Sequence, residues 1–239
     1  MSIYVFVEGE TEARVLKAIE EKMQLEMEIG EGRGKHQINR DLVMKLGPIL
    51  EKGDSIRCLV LRDLDAHTGE TVETIVQSVR DTVNRMLQER VPGTPAVTLS
   101  PLPDFPSVYA LAISRPDFCL ALHIATYRWR EEFVKATIDD YVLLLAVQPT
   151  TAHALIAEKG WQVTADDVLR KVTAEIPDLL TANGIRLQEA KDYVRLYAAV
   201  IQEHTSPPVF AQKVIAHVDE GNWKSVFAPL LAAIQFLRS

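Results

Sequence analysis

Two short apolar runs that stop abruptly at carboxylates constrain the fold of this 239-residue chain more than any other feature. The first covers residues 3–7 and runs into Glu8, and the second, within residues 56–61, runs into Asp63 and Asp65. Apolar runs of this length are typical of strands buried on both faces of a parallel sheet. A helical pattern follows each run, so both predict βα units of an α/β fold.

The acids that end the two runs form the candidate site. In open α/β sheets ligands bind beyond the carboxyl ends of the strands, so neighbouring strands would bring Glu8, Asp63 and Asp65 together. Three carboxylates held together at neutral pH repel one another, and a hard divalent cation such as Mg²⁺ removes that repulsion. The alternative interpretation is that these acids belong to solvated strand-end loops without a function.

The same residues resemble a known family. A strand ending in Glu8-Gly9 and a later strand ending in D-x-D at residues 63–65 resemble the TOPRIM domain of topoisomerases, DnaG-type primases, small ribonucleases and OLD-type nucleases. The VEGETE stretch at residues 7–12 is similar to the V-E-G-x-T-E opening of small TOPRIM-like and defence-associated proteins. The resemblance covers residues 3–125 and implies a Rossmann-like, mostly parallel sheet flanked by helices.

The resemblance also implies an activity and its residues. Glu8, Asp63 and Asp65 would be the catalytic and metal-binding residues, with Glu8 as general acid or base and the aspartates as ligands of Mg²⁺ or Mn²⁺. The implied function is a Mg²⁺-dependent nuclease that hydrolyses phosphodiesters of DNA or RNA, within a multi-subunit defence or nucleic-acid-processing system. The chain departs from the family pattern at Arg62, where an apolar residue or threonine is expected.

Six further residues near the two acid stretches are candidate accessory residues of the site: Gly9, Glu10, Arg33, Lys35, His67 and Glu70. Arg33 and Lys35 lie in a Gly-rich stretch whose spacing is not that of a Walker A motif, so a solvated loop is favoured over a phosphate-binding loop. Glu12 is assigned to the favourable interaction of acidic residues with a helix N-terminus and not to the metal.

Two other functions stay open on the sequence. A haloacid-dehalogenase-like phosphatase also places D-x-D at a strand end, but that family resembles D-x-D-x-T, and His67 stands where the threonine would be. A TOPRIM-like fold could also bind a partner or a nucleotide without turnover. The acidic composition supports this non-catalytic alternative.

Charge limits the affinity for nucleic acid. The chain carries 26 basic and 33 acidic residues, a formal net charge of −7. Affinity for nucleic-acid phosphates comes chiefly from clustered Lys and Arg, and no such cluster stands out in the sequence. We therefore expect weak binding of nucleic acid by the chain alone, with a protein partner or a homodimer supplying basic surface.

The sequence predicts no association with a membrane. The longest uninterrupted apolar run, residues 141–147, is far shorter than the ~20 residues that a spanning helix needs. No signal peptide is visible at the N-terminus. These features predict a cytoplasmic protein.

The remaining pattern divides the chain into an α/β domain over residues 1–125 and an all-helical region over residues 126–239. In the first part, helices are predicted over 11–26 with Thr11 as N-cap, over 39–52 with a kink or split at Gly47-Pro48, and over 71–91. Residues 28–39 are predicted to form a connection. Strands are predicted over 96–102, 108–113 and 118–124. His123 is interpreted as a core or strand-end histidine.

The second part is predicted to be a helical appendage without chemistry of its own, which docks on the sheet domain or on a partner. Its predicted helices cover residues 127–146, 150–159, 164–182, 187–203, 207–219 and 222–237, with one of the breaks at Gly160. Trp161 is interpreted as a core anchor.

Overall fold

Six strands form one mixed sheet in the computed structural model, which describes residues 2–157, 163–203 and 205–239. The strands are β1 (Ile3–Phe6), β2 (Met27–Ile29), β3 (Ile56–Asp63), β4 (Ser100–Leu102), β5 (Phe105–Ser114) and β6 (Asp117–Ala125). Their order across the sheet is β2-β1-β3-β6-β5-β4, and the first four of these are parallel. β5 and β4 join by antiparallel pairing. The prediction of an α/β fold with a mostly parallel sheet is therefore confirmed.

Helices connect the strands and follow the last of them. Between strands lie α1 (Glu10–Met23), α2 (Lys35–Lys52) and α3 (Val72–Arg90), with a 3-10 turn over Ala66–Thr68. After β6 the helices are α4 (Ile138–Ala146), α5 (Pro149–Ala157), α6 (Ala165–Arg170), α7 (Ile176–Ala182), α8 (Ala190–Val200), α9 (Pro207–His217), α10 (Glu220–Val226) and α11 (Ala228–Arg238), with a π-helical turn over Lys171–Glu175. No helix in the described part of the chain is both long enough and apolar enough to pass through a bilayer.

The two faces of the sheet belong to two separate cores, which explains why the strand runs are apolar throughout. On β3, Cys58 and Val60 pack in a core with α2 and α3, while Leu59 and Leu61 pack in a core with α1 and the later helices. Alternate side chains of a strand point to opposite faces, so both sets must be apolar. The helices after β6 thus cover one face of the sheet. The domain boundary after residue 125 stays a prediction.

Several boundaries predicted in the first part of the chain are wrong. α1 begins directly after Gly9, so Thr11 is a buried residue inside the helix and not its N-cap. The connection expected over 28–39 contains the end of β2 and the start of α2, because a strand of three residues is too short to show a pattern. α2 continues through Pro48 without a split. Met44, whose carbonyl loses its partner at the proline, is exposed, so water can bond to that carbonyl.

Other predicted segments are shorter or divided in the structure. Residues 126–137, which we call the strap, contain no helix, and α4 begins only at Ile138 because Ala136 pairs with Leu64 beyond the end of β3. The strand expected over 96–102 is limited to β4. The helix expected over 164–182 contains the π-helical turn, and the one over 222–237 is divided into α10 and α11. Gly160 and Trp161 lie outside the described residues.

His123 is a core histidine, as the sequence predicts, and it makes the stability of the fold depend on pH. Its side chain is fully buried on β6, edge-on to the Tyr141 ring at 6.2 Å, and neither ring nitrogen has a hydrogen-bond partner among the described residues. Burial lowers the pKa of His123 to about 4. The unfolded chain takes up this proton near pH 6.5, so His123 reduces stability as the pH falls from about 6.5 towards 4.

We expect His123→Leu to remove this part of the pH dependence. Between pH 7 and pH 5 the wild-type free energy of unfolding should fall by roughly 2 kcal/mol more than that of the variant. Urea denaturation at both pH values measures the difference. His153→Leu, at an exposed position on α5, is the control and should follow the wild type. Equal pH dependence of His123→Leu and wild type would show that His123 is protonated in the folded state.

Candidate functional site

The parallel pairing of β1 and β3 brings the predicted acids to one cleft. Glu8 follows β1 after one residue, Asp63 ends β3, and Asp65 comes two residues later, so all three lie at the carboxyl ends of neighbouring strands. The cleft has a volume of about 150 Å³. Its lining residues are Glu8, Lys35, Asp63, Asp65, Lys135, Thr137, Asp139, Glu189 and Lys191.

The Gly-rich loop lies directly against the backbone of the first acid. The Gly34 N–H donates to the Glu8 carbonyl at 2.8 Å, and a Cβ added at Gly32 would lie 2.4 Å from the Gly9 backbone. Gly9 has its own restriction, because an added Cβ would lie 2.9 Å from a carboxylate oxygen of Glu12. Gly32 is therefore required by the close approach of two backbone segments, whereas a side chain at Gly9 would displace only the end of the Glu12 side chain.

Arg62 joins three parts of the site through its buried guanidinium. Its side chain is 6% exposed, forms a short ion pair with Glu8, and donates to Glu70 at 2.9 Å. Glu70 in turn accepts a hydrogen bond from the Asp65 backbone N–H at 3.1 Å. Burial raises the pKa of Glu8, and the Arg62 charge and hydrogen bond oppose that rise. Glu70, a candidate accessory residue, therefore holds the D-x-D backbone.

Asp63 is the carboxyl group under the greatest electrostatic stress. It is half-buried in the wall of the cleft and accepts a hydrogen bond from the Ile138 N–H at 3.1 Å. Burial is the largest cause that raises its pKa well above the usual range, and the negative charges of Glu12, Glu8 and Asp139 raise it further. A hydrogen bond between the Glu12 and Asp63 carboxyl groups raises the pKa of Asp63 further, since that bond requires a proton on one of them.

Glu12 lies in the first turn of α1, as the sequence predicts, and the structure adds that it is only 4% exposed and faces Asp63. Glu8 lies just before α1, so the two carboxylates are four residues apart in the sequence. That spacing was the available signal for a fourth carboxylate.

Asp65 and Asp139 carry buried oxygens that lack partners. Asp65 lies 3.6 Å from the Lys35 ammonium and 4.0 Å from that of Lys135 through Oδ2, while its Oδ1 has no hydrogen-bond partner among the described residues. Oδ1 of Asp139 is likewise buried and unpartnered within the described chain. Burial raises the pKa of Asp139 to about 7, although the Lys191 charge opposes the rise.

The strap positions the D-x-D segment by backbone pairing. The Leu64 N–H donates to the Ala136 carbonyl at 2.9 Å, and the Ala136 N–H donates to the Leu64 carbonyl at 3.0 Å. Arg130 anchors the strap, because its guanidinium lies 4.9 Å from the ring centroids of both Trp129 and Tyr193. The same guanidinium donates to the Thr173 carbonyl in the π-helical turn at 2.7 Å.

Of the six predicted accessory residues only Lys35 lines the cleft; Gly9 and Glu70 contact its acids from outside the lining, and the other three lie elsewhere. Glu10 is exposed on α1 and pairs with Arg14 at 3.5 Å. Arg33 is exposed and pairs with Glu31 at 3.1 Å, so of the two basic residues in the Gly-rich stretch only Lys35 reaches the cleft. His67 is exposed in the 3-10 turn and does not line the cleft.

Five cleft residues come from the part of the chain that was expected to have no chemistry: Lys135, Thr137, Asp139, Glu189 and Lys191. The strap supplies the first two, the start of α4 the third, and the start of α8 the others. They are 70 or more residues from Asp65 in the sequence, so no local motif connects them to it. The helical region therefore contributes side chains to the cleft at this edge of the sheet.

The carboxylate oxygens of the cleft are the type of ligand that Mg²⁺ prefers. No group of three or more His, Cys, Asp or Glu in the described residues is arranged to hold a metal ion. Mg²⁺, however, usually binds through one or two carboxylates and completes its shell with waters and substrate phosphate. The unpartnered Asp65 oxygen and the repulsion at Asp63 are both conditions that a cation would relieve.

Comparisons with known proteins found no match to this chain among protein-family models, curated proteins or solved structures. The resemblance to TOPRIM domains therefore stays a prediction based on the VEGETE and D-x-D motifs. The function must be argued from the cleft itself.

We expect Gly32→Ala to destabilise the loop that lies on Glu8. The added Cβ would lie 2.4 Å from Gly9 backbone atoms, so one segment must move. Forced displacement in a packed region costs about 1–3 kcal/mol of unfolding free energy. Gly221→Ala is the control, because its Cβ would meet its nearest neighbour at an ordinary 3.5 Å. Thermal melts of both variants test the contact, and an unchanged Gly32→Ala would contradict it.

We also expect Asp63→Asn to stabilise the metal-free protein. The amide oxygen can still accept from Ile138, and removal of the charge relieves burial and repulsion. Because the pKa of Asp63 is raised in the folded state, the charged form destabilises folding as the pH rises, so the gain should be larger at pH 8 than at pH 5. Urea denaturation without metal measures it, with exposed Asp104→Asn as the control.

Glu12→Gln tests whether the carboxyl groups of Glu12 and Asp63 destabilise each other. It should also stabilise the protein, and the double variant should gain less than the sum of the single variants, with a coupling of about 0.5–3 kcal/mol. A loss of stability in Asp63→Asn at pH 8 would show that Asp63 is ionised and held by hydrogen bonds.

Proposed function

We propose that the cleft is the active site of a divalent-metal-dependent phosphodiesterase, a nuclease of the TOPRIM type whose cofactor is Mg²⁺ or Mn²⁺. The observation that carries the proposal is Asp63, a cleft-lining carboxyl group at the carboxyl end of β3 whose pKa is raised by burial and then by the charges of Glu12, Glu8 and Asp139. Structural carboxylates are usually paired with cations or with several N–H donors, whereas crowded carboxylates at the ends of parallel strands are typical of functional sites.

The residues of the cleft divide into ligands and proton carriers. Asp63, Asp65 and Glu12 would supply oxygens to the cation, which when bound polarises a phosphate oxygen and offsets negative charge in the transition state. Glu8 is engaged by Arg62 and is the better proton carrier, because burial raises its pKa towards neutrality.

The hydrolysis balances with groups already in the cleft. A water molecule gives a proton to the Glu8 carboxylate while its oxygen bonds to phosphorus, and the bond from phosphorus to the departing sugar oxygen breaks. Asp139, whose pKa is raised to about 7 by burial, can give a proton to that sugar oxygen. Lys35, Lys135 and Lys191 offer positive charge to the phosphate within the same cleft.

One alternative has support from the structure. Arg62 neutralises Glu8, and the chain carries a formal net charge of −7, so a TOPRIM-like protein that binds a partner or nucleotide without turnover is the second candidate. A haloacid-dehalogenase-like phosphatase has less support, because His67, in the threonine position of that motif, is exposed outside the cleft. The helical region after residue 125 as the docking surface of a partner, or of a second copy in a multi-subunit system, stays a proposal.

The test is cleavage of DNA and RNA by the purified chain with Mg²⁺ or Mn²⁺ and with excess chelator. We expect metal-dependent cleavage that Asp63→Asn and Asp65→Asn abolish and that Glu8→Gln slows by about 10²–10⁴-fold. Glu10→Gln, at an exposed position paired with Arg14, should keep the wild-type rate. Metal-induced stabilisation without any cleavage would support the non-catalytic alternative.

A further inference from the structure

Three ammonium groups converge on the cleft from three separate elements. Lys35 comes from the start of α2, Lys135 from the strap and Lys191 from the start of α8. They are distant in the sequence, so only the fold assembles them. Together they place positive charge beside the carboxylates of the proposed phosphodiesterase site.

Lys35 and Lys135 form loose ion pairs in the cleft. The Lys35 ammonium lies 3.6 Å from Asp65, and that of Lys135 lies 3.7 Å from Glu189 and 4.0 Å from Asp65. Charge-assisted hydrogen bonds are about 2.7–2.9 Å long, so these contacts are weaker than the 2.9 Å bond from Arg62 to Glu70. Because their ion pairs are loose, these ammonium groups can exchange a carboxylate for a phosphate with little loss of free energy, whereas Arg62 is held by its hydrogen bonds within the fold.

The cleft is small for a nucleic acid. Its volume is about 150 Å³, close to that of a cavity that holds one benzene ring, so it has room for roughly six non-hydrogen atoms. That is about the size of one phosphate group. The start of α2, the strap and the start of α8 all line this space, so it has room for one phosphate and not for the next phosphates along a strand.

We propose that the substrate is a single, unpaired nucleic-acid strand. The cleft binds one phosphodiester of this strand at a time through the three lysines. This inference rests on the proposed function. A rigid duplex carries one charge per ≈1.7 Å of its axis, so it would bring many further phosphates against a protein with a formal net charge of −7. An unpaired strand can bend one phosphate into the cleft. The chain then needs no basic surface outside it.

The proposal is tested with three substrates of one sequence, each as DNA and as RNA: a 20-residue single strand, a tetranucleotide, and a duplex closed by hairpin loops at both ends. We expect kcat/KM per phosphodiester to agree within about threefold for the single strand and the tetranucleotide, and the paired region of the closed duplex to be cut at least about tenfold more slowly. Three lysine contacts predict a slope near −2 in log KM⁻¹ against log salt.

Binding separates the lysines from catalysis. Fluorescence anisotropy of the labelled single strand with Ca²⁺ should show weaker binding by Lys135→Ala and Lys191→Ala, each by about tenfold, while the exposed control Lys52→Ala binds like wild type. Cleavage of the closed duplex at the single-strand rate, or a steep rise of kcat/KM with strand length, would overturn the proposal.

Failure of the proposed function gives a different result. If no substrate is cleaved but the single strand binds through the three lysines in preference to the closed duplex, the phosphodiesterase fails and the recognition of an unpaired strand stands. If the lysine variants bind both the single strand and the closed duplex as tightly as the wild type does, the proposed recognition of an unpaired strand is wrong.

Discussion

The buried guanidinium of Arg62 is the interaction on which the rest of the site depends. A guanidinium cannot be left unpaired in an apolar interior, and here Glu8 and Glu70 satisfy it from two sides. Through these partners Arg62 ties the end of β1 to the loop after β3, because Glu70 also holds the Asp65 N–H. Loss of Arg62 would leave two acids among four others without a counter-charge.

The second support comes from the helices after β6. Their apolar side chains share one core with α1 and with one face of the sheet, so they are part of the packing that holds β1 and β3 in register. The strap that leads into them pairs with Leu64 between the two aspartates, and Arg130 fixes the strap to the π-helical turn. The geometry of D-x-D therefore depends on residues more than sixty positions away.

Electrostatic balance gives the cleft its character. Carboxyl groups are crowded at its base around Asp63, where burial and mutual repulsion raise the pKa, and ammonium groups lie near its lining acids at 3.6 Å or more. In the phosphodiesterase that we propose, the crowded carboxylates would bind a cation and the loosely paired lysines would bind phosphate. Such a site would let a chain with a formal net charge of −7 bind a phosphate without a basic surface.

The sequence by itself determined the α/β class, the strands that end at Glu8 and Asp63, and the core position of His123, because apolar runs and helical periodicity are local properties of the chain. Parallel pairing of β1 and β3 then followed from a general rule of α/β sheets. Local patterns could not show the three-residue strand β2, the antiparallel addition of β5 and β4, or the non-helical strap, since each is stabilised by partners distant in sequence. For the same reason Lys135, Asp139 and Lys191 could not be assigned to the site before folding. Only the tertiary structure decided which charges face the cleft. The burial that changes their pKa values and the partners that they contact are both properties of the packed chain.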